Sequence, residues 1–428
     1  MDSISGLPYV RLRLNKNGEL LDPGGPVRPA NIGNLIVIAH GWKNDEADAD
    51  KLYSRLLENV RGLPDGQRTF EEGRFGVTGI YWPAFVFKPD LTMLESDATG
   101  PQGGAASAGG GDLPATELES FAEDVATFLE VEDIASFKDQ VKRATGGGGA
   151  ADRLAERLRD ETPPAGADTE TIFEQEGRNE HGSRLFEFLK TPPALPSSSD
   201  GQGSAMGGIG SALKRPRFLA GPRAAVARLL NQFTYFEMKK RAGIVGAKLA
   251  ATLEADGLTN VRLHLIGHSF GARLVTSTAS HLQDIHPWSM TLLQAAYSHN
   301  ALGIGKGQVP QGAFRSVVED KRVRGPIAIT HTHNDRAVGI AYVIASRASR
   351  VTAARFGGPS DPFGGMGANG AQLITDGEAV TAHVVAGQAP PLMSKKINNL
   401  LADAIIADHN DVTNVDVARL VLQSVRPQ

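Results

Sequence analysis

Residues 261–276 run VRLHLIGHSFGARLVT. The first six residues are a short, largely apolar run of strand length. Gly267, His268, Ser269, Phe270 and Gly271 follow at once, and a small-residue helical pattern begins at Ala272. A G-x-S-x-G pattern between a strand and a helix is a nucleophile elbow. The serine in such an elbow sits on a sharp, strained turn that lifts its hydroxyl clear of the sheet. Gly267 and Gly271 carry no Cβ, which lets the turn pack closely on its neighbours. The helix that follows aims backbone N–H groups and the positive end of its dipole at the place where an oxyanion would form. The five residues alone fit many turns that do no chemistry. The strand before them and the helix after them single them out.

Strand and helix signals alternate on both sides of this elbow. NLIVIA at 34–39 is a continuous apolar run suited to a buried parallel strand, and it ends at His40-Gly41-Trp42. A helical pattern over 48–60 puts Leu52, Leu56, Leu57 and Val60 on one face. Residues 75–81 read as the next strand, closed by Trp82-Pro83. One long helix is expected over 225–255, bent near Gly243 and Gly246, and the elbow helix is expected to reach Leu282. Further strands are expected at 290–297 and 326–330, a helix at 337–348, a last strand at 397–406 and a final helix at 415–425. Asn398-Asn399 interrupt the apolar pattern of that last strand. Hairpins are expected around Lys16-Asn17-Gly18 and, over 372–385, around Asp376-Gly377. Such alternation implies an α/β fold, a mostly parallel central sheet with helices on both faces.

The 428 residues allow one large α/β domain with an insertion, or two to three ordinary domains. A net charge of -4 gives no electrostatic reason to expect nucleic acid. The absence of cysteine excludes disulfides, thiolate chemistry and Cys-ligated zinc. No apolar run approaches the ~20 residues that span a bilayer, so no transmembrane segment is expected. The N-terminus has no long apolar core and no basic lead-in, so a cleavable signal peptide is not expected. Cytoplasmic location is then the default, and export by a route without a signal peptide stays open. Gly/Ala/Ser-rich patches at 100–111, 146–149 and 197–210 separate helical patterns at 117–144 and 150–160. Residues 91–222 therefore read as a partly flexible helical insertion of cap or lid type, set into a core of 1–90 and 223–428.

A serine hydroxyl is a poor nucleophile until a base takes its proton. The base must be a histidine held by a carboxylate, both downstream if the order is Ser…Asp…His. Asp335 follows the strand expected at 326–330, and His409 follows the last expected strand. Functional groups in open α/β sheets gather at the carboxyl ends of strands, where Ser269, Asp335, His409 and His40-Gly41-Trp42 all fall. Asp361, Asp403 and Asp408 compete with Asp335, and a run of four polar residues around His409 also fits a solvated loop. His268 reads as a packed neighbour of the elbow.

With GHSFG at 267–271 and HGW at 40–42, the chain resembles the serine esterases and lipases of the α/β-hydrolase superfamily over roughly residues 30–90 and 224–428. The resemblance implies Ser269 as nucleophile, His409 as base and then acid, and Asp335 as its orienter. It also implies an oxyanion hole built from the backbone N–H groups of Phe270 and Trp42, and a reaction that needs no cofactor. The implied substrate is a small-molecule or lipid ester. Phe85, Val86 and Phe87 suggest an apolar approach to the site. The departure from the superfamily is the insertion, since caps there often come later in the chain.

Two other functions compete with ester hydrolysis. One is a non-catalytic α/β-hydrolase scaffold used for binding, against which a serine, an aspartate and a histidine in that order argue. The other is a metal-dependent hydrolase, since His331, His333 and Asp335 form H-x-H-x-D, a spacing suited to zinc. The usual companion histidine after the aspartate is missing, because Arg336 stands there. Without a metal, His331 and His333 support the Asp335 loop. Gly201–Gly210 with Lys214-Arg215-Pro216-Arg217 reads either as peripheral contact with an anionic lipid surface or as a solvated linker.

Overall fold

The computed structural model describes residues 2–41, 46–84, 93–94, 111–163, 181–190, 217–219, 221–258, 260–307, 309–335, 338 and 364–426. Trp42, Phe85, Val86, Phe87, Asp361, nearly all of the helix expected at 337–348, and the patches at 100–110 and 197–210 lie outside the described residues, as do Lys214, Arg215 and Pro216.

Asn34–Ala39 (β3) sets the layering. It is buried at every position. Strand alternation sends Leu35, Val37 and Ala39 to one hydrophobic core and Ile36 and Ile38 to the other. A strand covered on both faces has no polar side to show, which is why it reads as an unbroken apolar run. It lies in a nine-stranded sheet with Asp2–Ile4 (β1), Leu7–Arg13 (β2), Phe75–Tyr81 (β4), Arg262–His268 (β7), Ser289–Leu293 (β8), Ile327–His331 (β9), Ala379–His383 (β10) and Ile397–Leu401 (β11). The order is β1-β2-β4-β3-β7-β8-β9-β11-β10. Only β1 runs antiparallel to its neighbour. Every other pairing in this sheet is parallel. Met93–Leu94 (β5) and Arg217–Phe218 (β6) pair separately.

One face carries the long helix Pro222–Asp256, the elbow helix Phe270–His281 and the helices Ala115–Leu129, Ile134–Ala144, Gly148–Glu161 and Gly182–Lys190. The other carries Glu46–Gly62, Gly66–Glu72 and Val415–Val425. Among the described residues, the helices between 115 and 190 form no separate core. Phe121, Phe137, Leu154 and Phe186 belong to the same buried cluster as Leu229, Phe233 and Leu265. Among the described residues, no helix is long and apolar enough to cross a membrane.

Several local expectations need correcting. The pattern over 117–144 is two helices, because Glu130 caps the first in the left-handed region at φ 60° and Asp133 caps the second by accepting from the Ser136 N–H. The Gly146–Gly149 patch is a tight joint rather than a linker, with the next helix beginning at Gly148. No hairpin forms over 372–385. Residues 372 and 373 bond to the 299–304 loop instead, and β10 pairs in parallel with β11. Strand 290–297 stops at Leu293, where Gln294 turns with φ 46°. The last strand stops at Leu401, since Ile405 and Ile406 fold back on the Ala402 carbonyl. Its Asn398 and Asn399 are tolerated because their side chains bond to backbone groups of Ile327, Met393, Lys396 and Ala371. The turn at 16–18 forms, but its hairpin is a single bridge between Leu14 and Leu20. A tight turn at Ser5-Gly6, with φ 49° and 76°, joins β1 to β2 and was not expected. The long helix runs unbroken through Gly243 and Gly246, whose carbonyls accept from Ser277 and Thr278 where the elbow helix crosses it.

Burial holds His264 and His268 down at about 3 and His331 at about 4. In the unfolded chain a histidine takes its proton near about 6.5. Below that pH the unfolded state binds protons that the folded state refuses. The stabilisation is complete above about 6.5 and is lost as pH falls toward the folded values. The urea midpoint is therefore expected to hold between pH 8 and 7 and to fall below pH 6. Each of these histidines adds up to about 1.4 kcal/mol per pH unit. A midpoint unchanged from pH 7 to pH 5 would contradict the neutral burial of all three.

Candidate active site

The sheet order reverses between β3 and β7. From β3 the chain moves outward to β4, and it returns on the other side of β3 as β7. Such a switch point leaves a crevice at the carboxyl ends of the strands. Gly41 follows β3 and Ser269 follows β7, so both stand at that crevice. A Cβ on Gly41 would lie 2.2 Å from the Ser269 Cβ. The segment before Gly41 is pinned. The Tyr53 hydroxyl accepts the His40 N–H at 2.8 Å, and the Trp82 indole donates to the His40 carbonyl at 3.1 Å.

Ser269 has φ 58° and ψ −121°. A non-glycine residue in such a conformation costs about 1–3 kcal/mol and persists only where its surroundings over-determine it. The surroundings here do so. The Ser269 N–H donates to the Leu293 carbonyl at 3.0 Å, and the Ser269 carbonyl accepts from Ala272 and Ala296 at 3.1 and 3.2 Å. Gly267 and Gly271 leave no room for side chains. A Cβ on Gly267 would lie 2.4 Å from the Gly271 carbonyl oxygen, and one on Gly271 would lie 2.2 Å from that of Ala39. Phe270 is the first residue of the elbow helix, so its N–H stands at the positive end of the helix dipole. The other expected donor, Trp42, lies outside the described residues.

His409 follows β11 and faces the serine. Its Nε2 is 2.9 Å from the Ser269 Oγ, and its Nδ1 is 2.8 Å from the Asp335 Oδ2. An ionised carboxylate only accepts, so Nδ1 carries the proton and Nε2 is left to accept the serine hydroxyl. Ser269, Asp335 and His409 are 0%, 2% and 6% exposed, so the two bonds are shielded from competing water.

The rivals of Asp335 have other partners. Asp403 accepts from the Thr332 hydroxyl, the His333 N–H and the His333 ring at 2.7, 2.9 and 2.8 Å. Asp408 accepts from the Asn410 N–H. Asp403 thus clamps the turn just before Asp335 to the loop that leads to His409, and His333 serves that clamp. Its carboxyl is held below the usual range: burial raises it, but the bonds from His333 and Thr332 outweigh that. His331 is buried at the end of β9. With His333 on Asp403 and Asp335 on His409, the H-x-H-x-D residues face different partners. Among the described residues, no group of three histidine or acidic side chains is placed to hold a metal ion.

Gln294 was absent from the sequence expectations. Its side chain donates to the Asp335 Oδ2 at 3.0 Å and to the Gly367 carbonyl at 3.2 Å. The backbone N–H of Val338 donates to the other Asp335 oxygen at 3.0 Å. The carboxylate therefore accepts bonds on both oxygens before His409 is counted. A polar residue directly after a buried strand was the available signal, hidden by extending that strand to 297. Compared with models of protein families, with curated proteins and with solved structures, the chain matches none.

Proposed function

We propose that the chain is a serine hydrolase of the α/β-hydrolase type that cleaves carboxylic esters through an acyl-enzyme intermediate. The observation that carries this reading is the buried relay Ser269 Oγ–His409–Asp335, with both bonds under 3 Å. The strand order around β3 and the strained serine support it. A scaffold that only binds has no need to hold a serine in a costly conformation opposite a carboxylate-paired imidazole.

The chemistry follows from the geometry. His409 Nε2 takes the Ser269 proton as Oγ bonds to the ester carbonyl carbon. The carbonyl oxygen becomes an oxyanion at the start of the elbow helix, where the Phe270 N–H and, in the superfamily's pattern, that of Trp42 stabilise it. Each donor of this kind is worth about 2.7–4 kcal/mol to the transition state. Asp335 steadies the imidazolium without taking its proton. The tetrahedral adduct collapses, the bond to the alcohol oxygen breaks, and His409 returns the proton to the alcohol. Water then repeats the sequence on the acyl-serine and releases the acid. An apolar acyl group is the proposed substrate class. It rests on Phe85, Val86 and Phe87, which a chain-length series of p-nitrophenyl esters would test.

The direct test is labelling by fluorophosphonates of increasing size, with the modified peptide identified by mass spectrometry. Wild type is expected to label at Ser269, and Ser269→Ala is expected to lose the label. A folded wild type that no fluorophosphonate labels, down to the smallest, overturns the serine-hydrolase reading.

A further inference from the structure

The residue before the nucleophile faces the catalytic constellation from behind. His268 ends β7 and is 3% exposed. Its Nε2 lies 2.9 Å from the His409 backbone carbonyl oxygen, and the two rings are 5.0 Å apart. A carbonyl only accepts, so the His268 Nε2–H is the donor and the ring's tautomer is set. Its Nδ1 is buried and meets no hydrogen-bond partner among the described residues. A buried nitrogen left bare destabilises a fold, and a leucine here would avoid that cost. The ring is thus better explained by the bond that its other nitrogen makes.

The His409 loop is tied at its start to the Asp335 turn, where Asn334 donates to the Asp403 and Ile406 carbonyls, and beyond that it carries bonds within itself. Ala407 donates to the Asp411 carboxylate, Asn410 to the Asp408 carboxylate and Asp411 to the Asp408 carbonyl. None of those bonds reaches the elbow itself. The bond from His268 ties His409 directly to the elbow strand, because His268 and Ser269 are consecutive residues. A closed ring of constraints results. It runs from Ser269 through the peptide bond to His268, across to the His409 carbonyl, along His409 to its Nε2, and back to the Ser269 Oγ.

We propose that His268 is a positioning residue that sets the spacing between the His409 base and the Ser269 nucleophile by holding the His409 backbone carbonyl. The proposal rests on the serine-hydrolase reading. His268 suits this place because burial, and then the neighbouring His409, keep it neutral, down at about 3. When His409 becomes an imidazolium during turnover, the ring beside it adds no like charge.

The test compares His268→Leu, His268→Gln and His268→Asn in the full chain. The readouts are the fluorophosphonate labelling rate of Ser269, and kcat and KM for p-nitrophenyl butyrate. A misplacement of about 1 Å costs on the order of 10²-fold. His268→Leu is therefore expected to slow labelling and kcat by about 10–100-fold with KM within about twofold. Glutamine carries an N–H about where Nε2 stands and is expected to recover most of the loss. Asparagine, one methylene shorter, is expected not to. A folded His268→Leu protein that labels at the wild-type rate overturns the proposal while Ser269 stays an activated serine. Equal rates for the glutamine and asparagine variants overturn it as well, and they decide the matter if the leucine variant does not fold. A wild type that never labels overturns the hydrolase reading itself.

Discussion

If the chain is the serine hydrolase proposed above, replacing His409 with alanine is expected to lower ester hydrolysis by about 10⁶-fold, and adding Ser269→Ala to it is expected to cost almost nothing more. The reason lies in how the three side chains share one job. Without the imidazole, the Ser269 hydroxyl has no base to accept its proton as it attacks. His268 does not take over, because its Nε2 is already committed to the position 409 carbonyl. Asp335 does not either, since it reaches the serine only through the missing ring. What remains is substrate binding and oxyanion stabilisation, which together keep about 10³–10⁴-fold over water. The measurement is kcat/KM for an activated ester in the two single variants and the double variant. Losses that multiply would mean that the serine and the histidine act independently, which a bond of 2.9 Å between them argues against.

Ser269 and Asp335 were legible in the sequence because each follows a strand that reads clearly, whereas His409 rested on a strand whose pattern Asn398-Asn399 interrupt and which ends at Leu401 rather than 406. NLIVIA and the run before GHSFG are buried on both faces, so their apolar runs needed no partner to be recognised. Asp335 and His409 then followed from chain order and strand-end placement. What supports them was less legible. Gln294 reaches Asp335 across 41 residues, Asp403 reaches Thr332 across 71, and Tyr53 reaches Ile80 across 27. Such pairings follow from the order in which strands assemble, and no local pattern encodes them. The helices between 115 and 190 raise the same difficulty. Their glycine-rich flanks suggested a separate, partly flexible cap, yet Phe121, Phe137 and Phe186 pack into the same cluster as the long helix. Lifting these helices as a body would expose those side chains to water, at roughly 1.5–3 kcal/mol each.

Gly271→Val is expected to destabilise the protein by more than about 4 kcal/mol, a large share of a typical stability of about 5–15 kcal/mol. A Cβ at position 271 would lie 2.2 Å from the Ala39 carbonyl oxygen and 2.5 Å from that of His40. Neither is the end of a flexible side chain. Ala39 ends β3, which is paired on both sides with β4 and β7, and the His40 N–H is tied to the Tyr53 hydroxyl. The obstacle is thus backbone held at several points, and relief requires the elbow helix or the end of β3 to move. Gly62→Ala is the control, since a Cβ there meets nothing within 4 Å. Urea denaturation is the measurement: the control is expected to keep the wild-type midpoint, and Gly271→Val is expected to yield little folded protein. A wild-type midpoint for Gly271→Val would mean that the elbow does not pack against β3 as described. The milder Gly271→Ala tells more about function. Any shift of Ala39 and His40 that relieves its clash also carries Gly41 away from Ser269, so this variant is expected to lose activity even where it folds.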